Sequence, residues 1–129
     1  MTAPCDVCLV GELDSENSFY AETIHRARKA YRCCECNQPI TPGERYQRAT
    51  GKSDDHIWTY RTCMTCAEIR RVFYCHQDGG GWIFTTLWEQ MQDQEVFERL
   101  TTASPCFQQL TPPAKAALMD RWRRAKGLR

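Results

Sequence analysis

Six of the nine cysteines stand in three C-x2-C pairs: Cys5/Cys8, Cys33/Cys36 and Cys63/Cys66. A disulfide framework favours secretion and an even cysteine count. Here the count is odd, and the opening MTAPCDVCLVGELDSEN has neither the basic nor the apolar region of a secretory signal. A reducing cytosol is therefore expected, with the thiols available as ligands. Paired spacing of this kind is the mark of zinc. The need for a staple is plain from size, because a chain of 129 residues buries a limited share of its surface.

The pairs acquire an order from what lies between them. After Cys36, the run Thr41-Pro42-Gly43-Glu44 reads as a type II turn, with Gly supplying the positive φ. Glu44 to Thr50 then reads as a strand, Gly51 to Asp55 as a loop, and the aromatic and β-branched run His56 to Thr62 as the returning strand. Thr65 and Glu68 match a capping box for a helix carrying Ile69, Val72 and Phe73. Twenty-six residues separate Cys36 from Cys63. Knuckle, hairpin, then a second pair at a helix start resembles the treble-clef zinc finger over residues 31–74. Cys33, Cys36, Cys63 and Cys66 are assigned to one closed zinc site. Asn37 selects Cys36 as second ligand of the first pair, since the residue after it turns with positive φ and Asn is the best tolerated after Gly. Cys34 is left over. Whether it joins Cys5, Cys8, Cys75 or His76 around a second zinc stays open. Cys106 reads as a buried thiol.

Outside this unit, residues 19–32 read as an extended lead-in. A Gly-rich break at Gln77 to Gly81 precedes a helix opening at Thr86, with Leu87, Trp88 and Met91 on its apolar face. Val96, Phe97 and Leu100 continue that helix or form a separate one. Thr101 to Pro105 reads as a linker. Thr111 as N-cap and Pro112 at N1 open a last helix with the stripe Ala114, Leu118, Trp122 and Ala125, and Gly127 as C-cap. The fold class is α+β, a small treble-clef zinc finger with additional C-terminal helices. Its expected division is an extension over 1–30, a zinc domain over 31–100, and a linker with a basic helix over 101–129.

Net charge is +1, yet acids and bases come in alternating blocks: residues 1–19 carry four acids and no base, and residues 111–129 six bases and one acid. Arg26, Arg28, Lys29, Arg32, Arg45 and Arg48, with Tyr31, Tyr46 and Trp58 interleaved, would make a basic face for nucleic acid, and Arg121, Arg123 and Arg124 a second cluster. Trp82, Trp88 and Trp122 would anchor a protein partner if they are not core. No apolar run is long enough to span a membrane. Asp55-His56 echoes an HNH-type nuclease, but the helix after Cys63 lacks the further Asn or early His such a metal site needs.

The pattern R-K-x-x-x-C-C-E-C, P-G-E-x-Y, T-C-x-x-C resembles a group of small phage and prophage proteins over roughly residues 22–91. The resemblance implies a protein made in the cytoplasm of an infected or lysogenic bacterium and supplies no activity. A non-enzymatic protein is expected, binding a host or phage protein. Nucleic-acid binding is the alternative, a nuclease the remote one, and self-association stays open.

Overall fold

The structure, a computed structural model, describes Leu9 and residues 19–53, 56–74 and 84–127. Five strands come first: Phe19–Arg26 (β1), Tyr31–Arg32 (β2), Pro39–Ile40 (β3), Arg45–Ser53 (β4) and His56–Cys63 (β5). Helices Met64–Phe73 (α1), Leu87–Asp93 (α2), Val96–Arg99 (α3), Pro105–Gln108 (α4) and Pro112–Ala125 (α5) follow. This is a mixed α+β fold with antiparallel sheets.

β1, β4 and β5 form one sheet in that order, and β2 pairs with β3 in a second. The lead-in is thus two elements. β1 runs beside β4 from Phe19 opposite Lys52 to Arg26 opposite Arg45. The turn after β3 is as expected: Gly43 has φ 95° and the Glu44 amide donates to Thr41 O at 3.0 Å. The expected loop at Gly51 is instead strand. Gly51 lies opposite Trp58, and a Cβ there would collide with the indole ring. The glycine serves as a gap for an aromatic ring laid across the backbone, a known use of Gly inside strands.

Residues directly opposite in an antiparallel pair share a face. Gln47 with Thr62, and Ala49 with Tyr60, form the inner face. α1 lies on this side, its Arg70 reaching Gln47 Oε1 at 2.5 Å and Thr62 Oγ1 at 3.3 Å. The alternate positions, Thr23 with Arg48 and Arg61, and Ala21 with Thr50 and Thr59, form the outer face. Trp58 and Tyr60 stand on the inner face and pack with Phe84, the Tyr60 and Phe84 rings stacking 4.7 Å apart.

One apolar cluster joins the sheet end to the helices: Ile40, Tyr46, Ile69, Phe73, Leu87, Met91, Val96 and Leu118 are all buried in it. Helix caps depart from local expectation. Cys63, not Thr65, is the N-cap of α1, its sulphur accepting the Cys66 amide. Glu68 turns away from its own helix and accepts from the Thr111 amide at 2.6 Å and hydroxyl at 2.8 Å, holding the start of α5. Thr86 sits at the N-cap of α2 without a side-chain cap bond; Glu35 Oε1 accepts the Leu87 amide instead, at 3.0 Å. A left-handed Glu95, φ 58°, separates α3 from α2. The expected linker turns through Thr101 to Ser104 and enters α4. α5 has Thr111 and Pro112 where expected, and Gly127 takes φ 73° beyond its end. Its buried stripe stops short of Ala125, which is exposed. Trp122 donates its indole N–H to Phe97 O at 2.8 Å.

Candidate metal centre

Two backbone turns deliver the four sulphurs. Between β2 and β3, the Cys33 amide donates to Gln38 O and the Asn37 amide to Cys33 O, both at 3.0 Å. Asn37 has φ 61°, the left-handed geometry that singled out its neighbour as ligand. The second turn is the junction of β5 and α1, where Cys63 ends the strand and Cys66 lies in the first helical turn.

The sulphurs of Cys33, Cys36, Cys63 and Cys66 all lie within 4.8 Å of one another, and this group could hold a metal ion. Cys36 and Cys63 are 3.9 Å apart. A tetrahedral ion with metal–sulphur bonds of ~2.3 Å would set its ligands ~3.8 Å apart, so the spacing fits. Each pair is braced alike. The amides of Glu35 and Cys36 point at Cys33 Sγ (3.4 and 3.5 Å), and the Cys66 amide at Cys63 Sγ (3.4 Å). Such donors favour thiolate over thiol.

Four thiols this close cannot all ionise unaided. Hydrogen bonds from Cys36, Cys63 and Cys66 hold Cys33 far below the usual thiol range. The Cys33 contact acts to raise Cys36, but Cys63 and Cys66 draw it down to about 7. Cys63 and Cys66, hydrogen-bonded to Cys33, are pushed well above the usual range, and burial adds to the push. A bound dication would supply the charge that makes all four thiolates together.

Cys34 stands apart from this group. Its amide donates to Arg61 O at 2.8 Å, its sulphur lies 3.3 Å from Thr62 Oγ1, and burial pushes its thiol up. The other residues considered for a second site, Cys5, Cys8, Cys75 and His76, lie outside the described residues. Cys106 is fully buried, as expected, but it is disulfide-bonded and so is no free thiol, which corrects that part of the expectation.

The residue that sequence reasoning missed is Glu35, inside the first knuckle. Its side chain is completely buried and pairs with the buried Arg70 at 2.6 Å. The signal was Arg70 itself, which falls three residues before Phe73, within the apolar arc of α1. A cation there requires a buried acid.

The expected basic face divides. Arg26 and Arg45 are opposed at one end of the inner face, whereas Arg48 is on the outer face opposite Arg61. Arg28 and Lys29 are exposed, with Lys29 Nζ 5.6 Å from the Tyr31 ring centre. On α5, Arg121 stacks on Trp88 at 4.7 Å, Arg124 pairs with Asp120 at 3.0 Å, and Arg123 is exposed. His56 opens β5, exposed. No described helix is long and apolar enough to cross a membrane. Comparison with protein-family models, with curated proteins and with solved structures finds no match to this chain.

Proposed function

We propose a non-enzymatic, zinc-stapled nucleic-acid-binding protein, acting in a bacterial cell during phage infection or lysogeny. Zinc suits four sulphur ligands, and the sequence of knuckle, hairpin and helix is that of a treble clef. Four thiolates close the coordination sphere and leave no position for a reacting water, so the metal's role is structural.

One observation carries the choice of partner. Arg26, Arg28, Lys29, Arg45, Arg48 and Arg61 form no ion pair among the described residues, although acids and bases are nearly equal in number in the chain. Cations kept clear of carboxylates are free to meet phosphates. The protein-partner reading rested on Trp82, Trp88 and Trp122 as anchors. Trp82 lies outside the described residues, and Trp88 and Trp122 pack against the core, so support moves to nucleic acid.

The test has two parts. Metal analysis of the purified protein should return zinc at one ion per described cluster. Fluorescence anisotropy with labelled DNA and RNA at low salt should show binding that weakens steeply as salt rises. No binding to either polymer at ~50 mM salt refutes the nucleic-acid reading, and a host or phage protein captured with the chain would then restore the other. Plasmid cleavage on adding Mg²⁺ or Mn²⁺ would overturn the non-enzymatic reading.

A further inference from the structure

At the centre of the sheet, Arg48 on β4 lies directly opposite Arg61 on β5, with Thr23 of β1 completing the row. Like charges directly opposite one another in a sheet are destabilising. No acid among the described residues of the outer face offsets this pair: its other members include Ala21, Thr50, Thr59, Lys52 and Ile57. Arg48 is exposed. Arg61 leans over the Tyr31 ring, 4.3 Å from its centre, and its Nε is buried without a hydrogen-bond partner. Lys29 approaches the same ring at 5.6 Å. Three cations thus collect on one side of a nearly neutral chain, and an anion placed there would relieve a repulsion the fold leaves standing.

We propose that this outer face binds the phosphate backbone of duplex DNA, with Arg48 and Arg61 at its centre and Lys29 at its rim. The inference rests on the nucleic-acid reading above and names its surface. Size agrees. At one end of this face Tyr46 is buried under Tyr31; the rest, from the Arg48 row to the Lys52 row, spans about 16 Å at ~3.3 Å per residue, and three strands at ~4.8 Å spacing make it about 10 Å wide. The major groove of B-DNA is about 12 Å across, so cations on such a face can reach phosphates on both of its rims. The A-form major groove of RNA is narrow and deep by contrast. Chemistry also selects a duplex over a single strand. Bases of a single strand need free aromatic rings to stack on. Trp58 and Tyr60 stand on the opposite face, Tyr31 is already covered by Arg61 and Lys29, and on the outer face itself Tyr46 is buried with His25 stacked on it. What the face offers is cations and threonine hydroxyls, the groups that touch backbone without reading sequence.

The experiment titrates full-length, metal-loaded protein into a labelled 20-base-pair DNA duplex, with a single strand of the same sequence and an RNA duplex as further probes. Variants Arg48→Glu and Arg61→Gln are compared with Lys115→Glu, a charge reversal on α5 outside the sheet; metal content and circular dichroism establish that each is folded. Expected are a loss of duplex affinity of about tenfold or more for Arg48→Glu at ~50 mM salt, and a log–log salt slope shallower by roughly 0.9 for each phosphate the variant no longer neutralises. A smaller loss is expected for Arg61→Gln, and little change for Lys115→Glu. Wild-type binding left intact by both sheet variants would overturn this surface while the nucleic-acid reading stands. Tighter binding to the single strand or to the RNA duplex would overturn the choice of duplex DNA. Absence of any wild-type binding would remove the reading on which the proposal rests.

Discussion

Replacing Glu35 by Ala should destabilise this protein from the inside. The carboxylate performs two tasks: Oε2 pairs with Arg70 at 2.6 Å, and Oε1 accepts the Leu87 amide at 3.0 Å. The variant removes the Glu35 carboxylate from a guanidinium that is only 1% exposed. Breaking a buried pair from one side costs about 3–5 kcal/mol. Arg70 keeps its hydrogen bonds to Gln47 and Thr62, which draws the figure toward the lower end. The orphaned Leu87 amide returns about 1 kcal/mol to the cost. A net loss of about 4 kcal/mol is a large part of the ~5–15 kcal/mol that holds a typical domain. It should lower the thermal midpoint by on the order of 10–20 °C. Calorimetry or circular dichroism reads this, with zinc held at one fixed excess because ligand concentration shifts apparent stability. The reasoning also requires recovery. Glu35→Ala combined with Arg70→Met removes both charges and should be markedly more stable than Glu35→Ala alone, since apolar replacement of a buried pair is often neutral. A single-variant cost below ~1 kcal/mol, or a double variant as unstable as the sum of its parts, refutes the argument.

Three further outcomes follow from the geometry. Adding a strong chelator should melt the knuckle and α1 together, visible as lost helical dichroism. Acid should do the same, because a bound ion keeps thiols that ordinarily titrate near ~8.5 deprotonated well below that range, and protons displace it only as pH falls further; a fold indifferent to both treatments contradicts a metal staple. Cys34→Ser should leave the metal-to-protein ratio unchanged, since Cys34 lies outside the four-sulphur group; a drop in that ratio, measured by elemental analysis, would make Cys34 a ligand. Gly51→Ala should cost about 1–3 kcal/mol through collision with Trp58, and denaturant titration giving under ~0.5 kcal/mol would show that the indole moves aside freely.

The four-cysteine group was legible because spacing and a turn residue are local facts: Asn37 φ 61° and Gly43 φ 95° are both as their neighbours required. The same locality misled at the caps. Thr65 and Glu68 satisfy a capping pattern by spacing, yet Glu68 serves Thr111, 43 residues away. Glu35 likewise meets Leu87 across 52 residues. Nothing in a window of ten residues encodes such a partner. The basic face divided for a different reason. Strand alternation sends Arg45 and Arg48 to opposite faces, and it brings in Arg61, which linear clustering had passed over. Gly51 read as a loop because its partner, Trp58, becomes its neighbour only once the hairpin register is known.

The Cys63 sulphur has a place in the metal group and also accepts the amide that begins α1. Oxidative damage at that atom would therefore not be graded. A sulphenic or sulphinic group there takes away a candidate ligand and alters the cap in one chemical event, while the same lesion at Cys36, which caps no helix, takes away a candidate ligand but leaves the cap atom itself unmodified. The chain should register oxidant differently at two sulphurs only 3.9 Å apart.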